Sequence, residues 1–314
     1  MLLSSIDHEL RCRMLNSNLI NKKKMNISKD KIQIVLLFLP GLLFFALFTL
    51  YPIYKLFIMS FFEYQIGSKG NALFVGFENY ISVFTDGVSQ YAITNTFIYG
   101  LITVPSQIIL GLLVAVLINS MSKGQVGFRI VYYLPVITSW VIVSVLFKYI
   151  FQNEGYLNYV IVNIWEITDL PVKWLETRIS SLLVLSIIGT WKGIGWSMTV
   201  FIAALTSVPK ELYDSAKVDG CNALNRFFYI TLPSIKNTIL FSMVMLTIGA
   251  FNTFTPVKLI TNGKPLHQTE FILTWMYKNA FEFRNMGYSA ALSFLVAILV
   301  SAITITQFKL LGKK

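Results

Sequence analysis

Six stretches of the chain are long, apolar and nearly free of charge: Ile34–Ile58, Asn95–Asn119, Ile130–Phe151, Ser181–Leu205, Ile239–Leu259 and Ala290–Leu311. A helix needs about 20 mainly apolar residues, rising about 1.5 Å each, to cross about 30 Å of hydrocarbon. All six reach that length, and no soluble fold buries so many continuous apolar runs. Composition agrees: of 314 residues 55% are hydrophobic and only 13% charged, against about 25% charged in a soluble domain. The predicted fold is therefore all-α, a polytopic membrane protein with six transmembrane helices. The first stretch is too long for a signal peptide, and no small-residue cleavage site follows it. Tyr159–Trp165 is apolar but short, and reads as an interfacial turn outside.

Lysine and arginine set the orientation, because cytoplasmic loops carry the excess. The tail before the first span, the second and fourth connections and the C-terminus together hold sixteen; the opposite connections hold seven over more residues. Both termini are expected in the cytoplasm of a bacterial cell. The organisation predicted is a cytoplasmic tail over 1–33, a transmembrane domain over 34–311 with a cytoplasmic loop over 206–236, and a short tail over 312–314. The first 24 residues read as unstructured, with Met14 and Met25 as alternative starts.

The net charge of +11 needs a partner. Nucleic acid would require a basic face with exposed aromatics on a soluble domain; here the aromatics sit in the apolar runs, so membrane lipid is the expected partner and nucleic acid is not. Cys12 and Cys221 have no metal-ligand spacing, and His8 and His267 are isolated, so no metal or cofactor is expected on this chain. There is no G-x-x-x-x-G-K-[ST], since Gly263-Lys264 runs into Pro265. Asp and Glu lie almost wholly in loops, without the intramembrane carboxylates of many proton-driven carriers. No catalytic residues are assigned, and energy has to arrive through another protein.

The fourth connection, Thr206–Lys236, has its own helical pattern. Pro209 can open a helix, with Glu211 near its positive end. Leu212, Ser215, Ala216 and Asp219 then share a face at helical spacing. Gly220 suits a left-handed stop, Asn222 can cap a second helix bearing Leu224, Phe227 and Phe228, and Pro233 ends it. Such an elbow can lie on the membrane surface as an amphipathic pair. It can also be a docking knob, with small Ser215 and Ala216 admitting a partner and Asp214 offering it a charge.

The order Asp214-Ser215-Ala216, Gly220, Ile230-Thr231-Leu232-Pro233 resembles the EAA loop of ABC importer permeases. Asp214 stands for the usual Glu, Ser215 for the first Ala and Cys221 for the Ala after Gly. Further residues are similar to the MalF-type binding-protein-dependent sugar permeases in their short form: Tyr51-Pro52, Ser60-Phe61-Phe62, Gly76-Phe77-Glu78-Asn79-Tyr80, Leu134-Pro135 with Ser139, Thr261-Asn262-Gly263-Lys264-Pro265 and Gly287-Tyr288-Ser289. The resemblance implies a type I ABC importer permease fold in the plasma membrane and the import of a sugar or oligosaccharide by alternating access. It implies as partners a second, MalG-like permease, two ATPase subunits that bind ATP and Mg, and an extracytoplasmic solute-binding protein. The residues it places on the ATPase are Leu212, Asp214, Ser215, Ala216, Asp219, Gly220, Phe227, Ile230, Leu232 and Pro233. A stand-alone secondary transporter or channel for a small polar solute is the competing class.

Polar groups inside spans are costly and point to function. Lys192 is the deepest charge, roughly 16 Å from the outer span end at about 1.5 Å per residue. Its stem can snorkel to backbone carbonyls, or its ammonium can line a solute path. Trp191 and Trp196 can stack on a sugar face or anchor packing. Asn252, Thr253 and Thr255 can meet hydroxyls. Gly189 and Gly193 form a GxxxG that favours close helix packing.

Overall fold

The computed structural model describes residues 31–64 and 73–312. Most of the tail expected over 1–33 lies outside the described residues. One helix, α1 (Lys31–Met59), makes a unit of its own. It contains a π-helical turn at Ala46–Leu50 and a stacked Phe44–Phe48 pair with ring centres 5.5 Å apart.

The second unit begins at Met59. Its helices are α2 (Glu78–Thr85), α3 (Gly87–Ser120), α4 (Gln125–Ile137), α5 (Trp140–Phe151), α6 (Arg178–Thr206), α7 (Lys210–Val218), α8 (Ala223–Ser234), α9 (Lys236–Phe251), α10 (Ile272–Tyr277) and α11 (Met286–Leu311). Two short strands, β1 (Phe62–Glu63) and β2 (Leu73–Phe74), pair antiparallel with Phe62 opposite Phe74. By length and composition α1, α3, α6 and α11 can each cross a membrane alone, and counting each bent pair once gives six candidate spans.

The bent pairs depart from the sequence reading. The stretch Ile130–Phe151 is not one rod: Gln125–Ile137 turns by 90° into Trp140–Ile164. Thr138 and Ser139 are extended at the corner, and the Ser139 hydroxyl caps α5 by accepting from Val141 N at 3.3 Å. The apolar period runs through this corner undisturbed, so hydrophobicity alone conceals it. Ala223–Ser234 likewise meets Lys236–Phe251 at 67°. Helix α8 stops at Ser234, one residue past Pro233, the residue expected to end it. The proline's missing N–H follows a π-helical turn, Phe227–Thr231, that has already displaced the hydrogen-bond ladder. The expected span Ile239–Leu259 stops as a helix at Phe251.

Close packing of α3, α4 and α6 rests on glycine. A methyl group on Gly111 would lie 2.4 Å from Ser197 Cβ, and one on Gly189 would lie 2.2 Å from the Tyr99 hydroxyl. One on Gly193 would lie 2.0 Å from Gln107 Oε1, and one on Gly195 2.1 Å from the backbone oxygen of Tyr132. With lipid tails as apolar as leucine, helices associate by such close approach rather than by hydrophobic burial. The buried core beside these contacts includes Leu112, Ala115, Leu185, Ile188, Met198 and Phe201.

Several motif residues turn out to be joinery. Asn79 Nδ2 donates to Ser60 O at 2.9 Å and Phe62 O at 3.0 Å, while Met286 N donates to Tyr64 O at 2.9 Å. Gly287 fits there because a Cβ would lie 2.1 Å from Phe62 O. The 262–270 loop is tied to α3 by Asn95 Nδ2, which donates to Gln268 O and Glu270 O at 2.8 Å each. Glu270, fully buried, accepts from Lys278 Nζ at 2.5 Å and Thr274 Oγ1 at 2.6 Å, which compensates the burial of both charges. Gly263 sits in the left-handed region (φ 83°), and a side chain there would strike the Glu270 carboxylate.

Candidate functional site

A cavity of about 530 Å³ opens where α3, α6 and α9 meet the α4–α5 corner. Tyr99, Thr103 and Gln107 line it from α3, Gly189, Lys192, Gly193 and Trp196 from α6, and Thr138, Ser139 and Trp140 from the corner between α4 and α5. The end of α9 and the segment after it bring Gly249, Asn252, Thr253, Phe254 and Thr255. Of the six residues singled out for a solute path, Lys192, Trp196, Asn252, Thr253 and Thr255 therefore share one space. Trp191 does not: it is 42% exposed and packs edge-on against Phe147, ring centres 5.3 Å apart. Helical geometry explains the split, since neighbours in sequence point about 100° apart.

Lys192 is only 6% exposed. Its ammonium donates to the backbone oxygens of Pro135 at 2.7 Å, Val136 at 3.1 Å and Thr138 at 2.6 Å. The last carbonyls of a helix have no partner within it and carry its negative end. Lys192 satisfies these carbonyls at the end of α4, and its Nζ stands 5.1 Å from the Trp140 ring centre. Of the two readings of this lysine, the structure has the ammonium on backbone carbonyls. Asn252 Nδ2 donates to Ile248 O at 3.0 Å where α9 ends, and Gln107 Nε2 donates to Gly189 O at 3.3 Å between α3 and α6.

The loop between α6 and α9 forms a helix–glycine–helix elbow. Helix α7 stops at Gly220 (φ 76°), with Gly220 N donating to Lys217 O at 3.1 Å and Cys221 N to Ala216 O at 2.9 Å. These two bonds make a left-handed stop of the Schellman type. Asn222 Oδ1 caps α8 by accepting from Asn225 N at 2.8 Å, and Tyr213 OH shares a 3.0 Å hydrogen bond with Thr231 Oγ1 across the elbow. The face expected from the helical period is divided. Ala216 is 8% exposed and turns inward with Tyr213, Phe227, Ile230 and Leu232, whereas Leu212, Asp214, Ser215 and Asp219 face outward. Outward also point Val218, Leu224 and Tyr229, apolar or aromatic side chains with nothing of the elbow over them. Asp214 accepts from Lys217 Nζ at 2.9 Å, and that hydrogen bond and charge hold its carboxyl below the usual carboxylate range.

Residues 91–312 match the family of binding-protein-dependent transport system inner membrane components. The chain belongs to this family. "Probable ABC transporter permease protein YurN" of Bacillus subtilis (strain 168) is 32% identical, over 90% of this chain and 97% of its own. The lactose transport system permease protein LacF of Rhizobium radiobacter is 30% identical, over 86% and 90%. Among solved structures, a bacterial ABC transporter that imports the acidic polysaccharide alginate superposes with a TM-score of 0.78 at 24% identity, covering 91% of this chain and 96% of that one.

In this permease several cavity residues had escaped the sequence reading. Gln107 is the only amide between Asn95 and Asn119 in an apolar run, and that isolation was a usable signal. Tyr99 and Trp140 carried none, because aromatic residues recur throughout the spans. Ser139 was noted for resemblance, and its place at a helix corner emerges only from the backbone.

Proposed function

We propose that this permease is one of two membrane subunits of an ATP-driven importer of a sugar or oligosaccharide. A second, MalG-like permease would complete the pathway, two ATPase subunits would bind ATP and Mg, and an extracytoplasmic binding protein would deliver solute. Both termini and the elbow then lie in the cytoplasm, in keeping with the distribution of lysine and arginine. One observation carries the reading: the elbow is continuous with α6 and α9, the two helices that supply Lys192, Trp196 and Asn252 to the cavity. A push on Asp214–Gly220 by the closing ATPase pair is delivered directly to two walls of the solute path. Such coupling needs two arrangements of the bundle with different affinity for both nucleotide state and binding protein. The names of LacF and of the arabinooligosaccharides permease AraP support a carbohydrate as cargo.

The test is to tag the chain in its native membrane, solubilise it gently, identify what co-purifies and assay ATP hydrolysis. An ATPase and a second permease should come with it, and ATP hydrolysis should rise when binding protein and solute are added. Recovery of this chain alone, moving solute in liposomes without ATP, would refute the proposal.

A further inference from the structure

We propose that Asn95 is the positioning residue that carries a push on the 262–270 loop into the paired helices α3 and α6. The proposal rests on the importer reading, which sets this loop outside the cell and the elbow inside. Two arms of the bundle reach the elbow. One is α6, locked to α3 by glycine contacts; the other is α9, whose chain continues past Phe251 into the 262–270 loop. The elbow joins these arms at their cytoplasmic ends, and Asn95 joins them at their outer ends. Asn95 is fully buried. Its Nδ2 donates to Gln268 O and Glu270 O at 2.8 Å each, and its Oδ1 accepts from Arg178 Nε at 2.8 Å.

The amide's orientation is set from α6. Arg178 offers only donors, so it holds Oδ1 toward itself and turns both Nδ2 hydrogens to the loop. Arg178 is the first residue of α6, where the positive helix end disfavours a cation. Among the described residues no carboxylate pairs with it. Its guanidinium lies instead 4.8 Å from the ring centre of Tyr91, one turn before Asn95 on α3. The loop that Asn95 grips is stiff. Leu266 and His267 are consecutive left-handed residues (φ 46° and 61°) at its tip, and Leu266 is 84% exposed. Such backbone persists only where its surroundings fix it. Behind the tip Gln268 N donates to Pro265 O at 2.8 Å and Thr269 Oγ1 to Lys264 O at 2.7 Å. A force on the tip is therefore passed to Asn95 and on to α3 and α6. Helix α6 then runs unbroken for 29 residues, about 43 Å at about 1.5 Å each, to the elbow.

The measurement is a ratio. The complete importer in liposomes is titrated with its solute-loaded, fluorescently labelled binding protein, once without nucleotide and once with a non-hydrolysable ATP analogue. The ratio of the two affinities is the coupling between the outer face and the ATPase, and linkage makes it the same in both directions. Asn95→Asp keeps the shape and the acceptor for Arg178 but turns a carboxylate oxygen toward two carbonyls. The ratio should shrink by about tenfold, or to one, as for two lost hydrogen bonds. Arg178→Met frees the amide to turn and should also shrink the ratio, whereas Arg178→Lys, again donor-only, should restore most of it. Should Asn95→Asp not assemble with its partners, the two Arg178 variants carry the test. A merely structural clamp would lower the melting temperature and leave the ratio at the parental value, and that result in an assembled variant overturns the inference. A parental importer whose affinity for the binding protein ignores nucleotide refutes the coupling in the importer reading itself, so the two failures are distinct.

Discussion

Replacing Lys192 with methionine separates its two possible roles. Methionine keeps an unbranched apolar stem of similar length but strips donors from Pro135 O, Val136 O and Thr138 O. Each buried acceptor left unpaired costs about 1–3 kcal/mol. The low end applies here, because a polar cavity lies beside these carbonyls and can admit water. Three of them give a loss of about 3 kcal/mol, part of which returns because no ammonium has to be desolvated. At about 2–4 °C per kcal/mol the full 3 kcal/mol would correspond to roughly 6–12 °C, so the melting temperature of the detergent-solubilised complex should drop measurably but by less than that. Lys192→Arg keeps the charge but presents a planar fork to three convergent carbonyls, so it should fall between the two. Trp196→Phe, which touches the same cavity, should leave the melting temperature nearly unchanged. A Lys192→Met complex that melts with the parent and yet transports nothing would refute the argument, since the lysine would then be acting on solute and not on the end of α4.

Gly220→Ala forces a Cβ into a left-handed residue and should cost about 1 kcal/mol, lowering uptake without lowering the amount of protein in the membrane; Gly220→Asn, which tolerates that conformation, should restore much of the uptake. Gly195→Ala meets the backbone oxygen of Tyr132 at 2.1 Å, where no side chain can yield, and should lower the melting temperature by the equivalent of about 1–3 kcal/mol of overpacking. The Asp214 carboxyl is held low by Lys217. A depressed carboxylate contributes above its unfolded pKa and loses that contribution as pH falls through the folded value. Lys217→Ala should therefore raise the pH at which the Asp214 carboxyl takes up its proton, as read from that carboxyl's own NMR titration.

The long helices were legible because hydrocarbon thickness imposes a length and a low charge on each span, and α3, α6 and α11 satisfy both. The elbow was legible because turn chemistry is local: Pro209, Gly220 and Asn222 each act within a few residues of themselves. The corner at Thr138–Ser139 was not, since both arms remain apolar and what makes the bend affordable is Lys192, more than fifty residues away. That Ala216 is nearly buried while Leu212, Ser215 and Asp219 are exposed was not legible either, for a related reason. Helical spacing defines a face, but only the packing of Phe227 and Ile230 decides which face turns inward. The joinery of Asn79 with Phe62, and of Met286 with Tyr64, was visible as motif without meaning, because hydrogen bonds across such sequence distance leave no periodic trace.

The two interruptions of the spans open on the same space. Thr138 and Ser139 break the third, Asn252 and Thr253 break the fifth, and all four line the cavity. Backbone that leaves a helix at membrane depth has to find partners in protein or line a wet cavity. Here it does both: Lys192 takes the carbonyls at one break, and at the other Asn252 N and Nδ2 fold back on Gly249 O and Ile248 O. The polar surface that solute would need is thus a by-product of breaking two helices, with no charged group set aside for it. The same breaks are natural places for the walls to bend, because a helix loses stiffness where its ladder is interrupted. Helix α6 has no such break between its cavity residues and Thr206, where the elbow begins. Helix α9 is likewise unbroken from Lys236 to Phe251, so two walls that reach the elbow, with the breaks at their far side, make a cavity whose shape can follow the elbow's movement. Closing either hinge by restoring a continuous helix should therefore uncouple hydrolysis from uptake even when solute still binds.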